Sequence, residues 1–220
     1  MALKNVKSEL DAVFKQLEVY GEAKYFILRK SPQINKAARA SINASISASA
    51  AIGEKKQDML NDAQENAEKA GKILVDLQKR LKEDYGKHWR QDLITSAIFF
   101  SPEQEIVEAF ALLAIIKQTE IPSRIIHFRT QDPDSYLKTK TSLKVSGEAY
   151  IFGLLDCVGE LNRVIQDSLN RPEFAKQVFA VMQELFGELE RFMAYTHISN
   201  LKHRIDICRK QIISAKKLLK

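Results

Sequence analysis

Apolar residues step by threes and fours along almost the whole of this chain, and no stretch alternates convincingly with period two. Leu3, Val6, Leu10, Val13, Leu17 and Tyr20 make the first stripe. Leu60, Ala63, Ala67, Ala70, Leu74, Leu77 and Leu81 make another, and Ile198, Leu201, Ile205, Cys208, Ile212, Ala215 and Leu219 a third. That spacing lays one apolar face along an α-helix. With only 8 Gly and 5 Pro in 220 residues, turns are few and helices must be long. The chain therefore reads as one all-α domain over residues 1–220, built from about seven helices.

Punctuation sets the helix boundaries. Ser31-Pro32 has the form of an N-cap followed by Pro at the first helical position, starting or restarting a helix through KAARASINASISASAAI. Small Ala and Ser residues interleaved with Ile34, Ile42, Ile46 and Ile52 suit close helix contact. HWRQDLITSAIFF, after Gly86, reads as a further helix. Ser101, Pro102 and Gln104 form an N-cap, N1 and N3 set for the next one. Ile121 to Leu143, with Pro122, Pro133 and TQDPDS, is expected to be a loop with at most one short helical turn. Ser146-Gly147-Glu148 and Pro172 open the two helices after it. The final stripe holds its heptad spacing long enough to suit packing against another chain.

Composition narrows the function classes. Hydrophobic residues make up 45% and charged residues 28%, as in ordinary globular proteins. A net charge of +6 and a pI near 9.2 permit a polyanionic partner. Cys157 and Cys208 sit in apolar helical patterns without CxxC spacing, and are expected to be buried free thiols in a reducing compartment. MALKNVKSEL has no signal-peptide core, and the apolar run Ala109 to Ile116 is far short of the ~20 residues that span a bilayer. The expected location is the cytoplasm, without membrane association.

Two pairs of carboxylates stand out against this background. Glu105 and Glu108 lie about 60° apart on a helix that is apolar all round from Ala109 to Ile116. Asp156 and Glu160 share a face of a second apolar helix, with Gly153 on that face and Gly159 at its border. Glycine costs helix stability, and one use for it is close approach of another backbone or a ligand. Four carboxylates on two such helices would make an oxygen-rich cage suited to Mg²⁺ or Mn²⁺, able to activate water against a phosphodiester. The plainer alternative is that Glu105 and Glu108 are first-turn acids favoured by the helix dipole, and that Glu160 pairs with Arg163 one turn on. No E-x-x-H occurs. His88, His127, His197 and His203 make no zinc signature, and there is no phosphate-binding Gly-rich loop or nucleophile elbow.

Three segments resemble the translin family, which comprises translin and translin-associated factor X. YGKHWRQDLI (Tyr85 to Ile94) is similar to translin's basic nucleic-acid-binding segment. QEIVEAF (Gln104 to Phe110) and GLLDCVGELNR (Gly153 to Arg163) resemble the E-x-x-E-A and D-x-x-G-E-L-x-R segments of the factor X type. SPQINKAARASI keeps the same order near the start. The resemblance implies a seven-helix protomer in a hollow, roughly octameric shell, and Mg²⁺-dependent cleavage of RNA by acids facing the cavity. Carried over by position, Glu105, Glu108, Asp156 and Glu160 are the metal-binding and catalytic acids, with Glu108 and Asp156 the best matched. Lys87, His88, Trp89 and Arg90 belong to the implied nucleic-acid surface, and Lys36 and Arg39 are further phosphate contacts. Asp84 and Gly86 stand where translin has Arg and His. A translin-like HWR beside factor-X-like acids, without a basic N-terminal extension, suggests a homo-oligomer that works without a second paralogue.

The expected function is thus a Mg²⁺-dependent endoribonuclease acting on short or single-stranded RNA inside a homo-oligomeric shell. One alternative is a non-catalytic scaffold for single-stranded RNA or DNA. A second is an all-α nucleoside-triphosphate pyrophosphohydrolase, which also holds Mg²⁺ with E-x-x-E on one helix and acids on the next. The gap from Glu108 to Asp156 is long for that pattern, and HWR has no role in it.

Overall fold

A computed structural model describes residues 2–85, 99–131, 138–194 and 198–219. Six α-helices and one β-hairpin make up the described chain: α1 (Ala2–Ala50), α2 (Gly53–Tyr85), α3 (Phe100–Lys117), β1 (Ile125–Gln131), β2 (Lys138–Lys144), α4 (Gly147–Asp167), α5 (Pro172–Glu190) and α6 (Leu201–Leu218). A 3₁₀ turn, Arg191–Ala194, follows α5. The helix expected over HWRQDLITSAIFF lies almost wholly outside the described residues.

α1 and α2 form a long hairpin across two linking residues, with Gly53 in the left-handed region (φ 60°) at the reversal. Its seam is built from small side chains. Ala37, Ala38, Ser41, Ser45 and Ala48 of α1 and Ala63, Ala67 and Ala70 of α2 are all buried. Leu74, Leu77 and Leu81 widen the packing toward the far end of α2.

Ser31-Pro32 does not start a helix. α1 runs through Pro32 without a break. The Ser31 hydroxyl turns back and donates to the Ile27 carbonyl at 2.9 Å instead of capping. Proline removes the bond that would reach Leu28, but Leu28 and Pro32 share an exposed face, while Ile27, Ile34 and Ala38 hold both halves of the helix on the core.

α3 is buried on nearly every side, as an all-round apolar helix must be. It lies between the α1–α2 hairpin and α4. Ser101 is not its cap: the helix begins two residues earlier than that cap implies, after Phe99, which makes no side-chain cap bond. Glu103 in the first turn is buried, and its carboxylate accepts from the Ser146 backbone N–H at 2.8 Å. That bond ties the start of α3 to the start of α4. Ser146 caps α4 by accepting from the Ala149 N–H at 3.3 Å, and Pro172 occupies the first turn of α5.

The stretch expected to be a loop forms a β-hairpin. β1 and β2 pair antiparallel, with Ile126 opposite Leu143 and Phe128 opposite Thr141. Ile126, Phe128, Leu143 and Val145 face the core while Lys140, Ser142 and Lys144 face out. The alternation is weak in the sequence because Thr141 fills an inward position and Ile125 an outward one. Phe128 seats the hairpin on α2, where a Cβ at Gly71 would fall 2.8 Å from its ring.

The last stripe is spent inside the chain. Leu201, Ile205, Cys208 and Ala215 of α6 are buried against α4 and α5. Among the described residues an exposed apolar face lies on the first half of α1, with Leu10, Val13, Phe14 and Leu17. Cys157 and Cys208 are free and buried, and burial pushes both thiols upward, Cys208 to about 12. No helix among the described residues is long and apolar enough to cross a membrane.

Candidate functional site

The two acid pairs meet where α3 and α4 come closest. At Gly153 a Cβ would lie 2.7 Å from the Gln104 carbonyl oxygen and 2.7 Å from Val107 Cβ. Only glycine lets the helices approach so closely. One turn on from this contact, Asp156 and Glu160 of α4 face Glu105 and Glu108 of α3. Glycine's second appearance, at Gly159, borders α6, with Gln211 Nε2 3.1 Å from where a Cβ would stand.

Three of the four carboxylates are held by arginines. Glu105 accepts from Arg39 of α1 through Nη2 at 3.0 Å and Nε at 3.4 Å. Asp156 accepts from Arg204 Nη1 of α6 at 2.7 Å, and from the Gln104 side-chain amide. Glu160 accepts from Arg163 Nη1 at 2.8 Å, the one-turn pair anticipated from spacing. Glu108 differs. It is only 8% exposed, and its carboxylate has no hydrogen bond or ion pair among the described residues.

Electrostatics follow from this arrangement. Burial, and then the charges of Asp156, Glu105 and Glu160, raise the Glu108 carboxyl to about 8, with Arg39 opposing. Asp156 is raised as well, chiefly by burial, while Arg204 and Gln104 work against the shift. Glu108 thus lies within the fields of the other three acids.

The donor set is all carboxylate oxygen, which suits a hard divalent cation such as Mg²⁺. A buried, unpartnered Glu108 fits the same chemistry. The side chains are nevertheless turned apart. Among the described residues no group of three or more His, Cys, Asp and Glu side chains gathers closely enough to hold an ion as placed. Glu105, Asp156 and Glu160 are each paired with an arginine instead.

Lys36 and Arg39 line an open groove of about 710 Å³ on the outer face of α1, with Ser31, Asn35 and Asn43. Arg39 lines this groove and also reaches Glu105. Lys87, His88, Trp89 and Arg90 lie outside the described residues. An apolar cavity of about 630 Å³ lies between the end of α3 and α5, lined by Ile115, Phe174, Val178, Val181 and Leu185. It is on the order of 15 Å along α3 from the acids, counting 1.5 Å per residue, and takes no part in the site.

Sequence reasoning missed Arg204 and Gln104. By local pattern Gln104 is an N3 residue, and Arg204 lies beside the apolar stripe of α6 without standing out from the other basic residues there. The available signal was general: a buried carboxylate implies a cation from some other element.

Comparison with known proteins gives a consistent result. Residues 7–216 match the Translin family. An uncharacterised protein of Methanocaldococcus jannaschii is 32% identical over 111 residues, 50% of this chain and 43% of that protein, so the match spans less than half of the relative's length. Among solved structures, an AfC3PO–duplex RNA complex superposes with a TM-score of 0.70 at 20% identity, covering 96% of this chain and 94% of that one. A crystal structure of AfC3PO alone gives 0.70 at 21% identity, with 96% and 95% covered. That of apo-NeC3PO gives 0.61 at 20%, with the same coverage. At these identities the structural likeness establishes the fold.

Proposed function

We propose, because the chain belongs to the translin family, that it binds RNA and cleaves it with the four carboxylates of α3 and α4. The observation that carries the reading is Glu108: a residue 8% exposed, its carboxylate without a hydrogen bond or ion pair among the described residues, beside three other acids, on helices whose closeness at Gly153 only glycine allows. A protein bears the cost of such a group where chemistry uses it. A structural relative solved with duplex RNA supports the substrate class.

Glu105, Glu108, Asp156 and Glu160 would hold Mg²⁺ or Mn²⁺. Such an ion, when bound, supplies an activated water and a Lewis acid at the phosphodiester. The protein's own part is derivable from its residues. Glu108, raised to about 8, keeps a proton on its carboxyl near neutral pH and gives it up when a cation enters. Lys36 and Arg39 offer positive charge along the α1 groove, where a strand's phosphates can run toward the acids. The family match favours this reading over a nucleoside-triphosphate pyrophosphohydrolase. Incubating the pure protein with labelled single-stranded and duplex RNA, with Mg²⁺ and with EDTA, tests it. Fragments are expected only with Mg²⁺. RNA binding without cleavage under every condition would leave the scaffold alternative for RNA or single-stranded DNA in its place.

The protein is further proposed to act as a homo-oligomer, an octamer by family analogy, with α1 at an interface. Phe14 and Leu17, 64% and 58% exposed on the apolar face of α1, carry that part. Phe14→Glu with Leu17→Glu is expected to lower the mass found by light scattering to that of a smaller species. A wild-type mass of 25.1 kDa at micromolar concentration would overturn it.

A further inference from the structure

We propose that Arg39 and Arg204 are built-in counter-cations of the acid site. They hold Glu105 and Asp156 apart, and they are freed for the phosphates of an incoming strand once a divalent cation takes the carboxylates. The inference rests on the reading of the acids given above and adds two positioning residues to it.

The pairing is not local. Arg163 and Glu160 sit one turn apart on one helix, as surface pairs often do. Arg39 reaches Glu105 from α1, and Arg204 reaches Asp156 from α6. Two different helices thus each bring a guanidinium to an acid of the α3–α4 seam. The two arginines and Arg163 set three positive charges against four carboxylates, and Glu108 is the one left over. A divalent cation among the acids makes those guanidinium charges surplus.

Release is cheap. The Arg39 side chain is 68% exposed and that of Arg204 42%, so each keeps much of its hydration while paired, and such pairs are weak. Arginine is also the residue for an exchange of partners, because its planar fork bonds carboxylate and phosphate with similar geometry. Arg39 stands on the wall of the α1 groove beside Lys36, Asn35 and Asn43, so a rotation moves its charge from Glu105 to a strand lying there. As placed among the described residues, with Glu105 and Asp156 bonded to these arginines, no three donors meet at one point.

Calorimetric titration with Mn²⁺, without RNA, tests the proposal on wild type, Arg204→Gln, Arg39→Gln and Arg204→Lys. Both glutamine variants are expected to bind Mn²⁺ roughly fivefold tighter, since no fixed cation competes for the carboxylates. Arg204→Lys keeps the charge and should stay near wild type. In wild type the slope of log K for RNA against log salt should steepen when Mn²⁺ is added, by about two for two released guanidinium groups, and the double glutamine variant should lose that gain. Unchanged or weaker Mn²⁺ binding in both glutamine variants would show that the arginines only brace the helices. If Arg204→Gln does not fold, the more exposed Arg39→Gln decides. If wild type itself binds no Mn²⁺, the metal reading of the acids fails and this proposal with it. If wild type binds Mn²⁺ and the variants bind it no tighter, this proposal alone fails.

Discussion

Glu108→Gln is expected to cut RNA cleavage by orders of magnitude and to make the metal-free protein more stable at alkaline pH. The two effects have one cause. In the unfolded chain the Glu108 carboxyl has its ordinary value near 4.5, and in the fold burial and three neighbouring acids raise it to about 8. Between those values the folded protein holds a proton that the unfolded chain has released. Stability therefore falls as pH rises through that window, by a total on the order of 3–5 kcal/mol. Below about pH 4.5 both states are protonated and this penalty is absent. Glutamine occupies nearly the same volume and does not titrate, so the variant should lack this slope. Urea melts of both proteins in EDTA at pH 5 and pH 8.5 measure it. The variant should gain on wild type between the two, and equal pH dependence would show that Glu108 is better solvated than its burial implies. Cleavage with Mg²⁺ should fall by about 10²–10⁴, the range for a positioned acid–base or ligand group. A variant that cleaves normally would return Glu108 to the role of a helix acid.

Much of this site is legible before folding, and the limit is physical. Helix periodicity exposes Glu105, Glu108, Asp156 and Glu160 because they recur at one-turn spacing on helices that are largely apolar. Gly153 is legible as well, as a costly residue in a helix interior. The Arg163–Glu160 pair can be read from spacing alone. Arg39 with Glu105 and Arg204 with Asp156 are separated by 66 and 48 residues, and no local rule pairs surface arginines over that range.

The misread elements share a different cause, which is tertiary contact overriding local signals. Pro32 is a helix start in isolation, but Ile27 and Ile34 on one core face carry α1 through it. Ser101-Pro102 has the form of a cap, yet α3 starts two residues earlier, and buried Glu103 bonds to Ser146. The hairpin shows little alternation by itself because Thr141 replaces an inward apolar residue, and Phe128 gains its place only from the space above Gly71.

Gly153→Ala is expected to damage both the fold and the chemistry, against the ordinary trend. Glycine in a helix interior normally costs about 0.5–1 kcal/mol relative to alanine, so the substitution should stabilise wherever space allows. Gly187, in the exposed face of α5, is such a place: nothing lies within 4 Å of a Cβ built there. Gly187→Ala should therefore raise the melting midpoint slightly and leave RNA cleavage alone. At Gly153 the added methyl would meet the Gln104 carbonyl oxygen at 2.7 Å and Val107 Cγ1 at 2.8 Å, and the first of these is backbone that cannot rotate away. The helices must part, at about 1–3 kcal/mol for an overpacked contact, which outweighs the gain in propensity. Parting α3 from α4 also moves Asp156 and Glu160 away from Glu105 and Glu108. A displacement near 1 Å costs about 10²-fold in a reaction that depends on alignment. Cleavage rates and denaturant midpoints for the two alanine variants, measured side by side, separate the site-specific clash from a general effect of alanine. Equal stabilisation by both would mean that α3 and α4 yield without strain, and that their closeness is not what brings the four acids together.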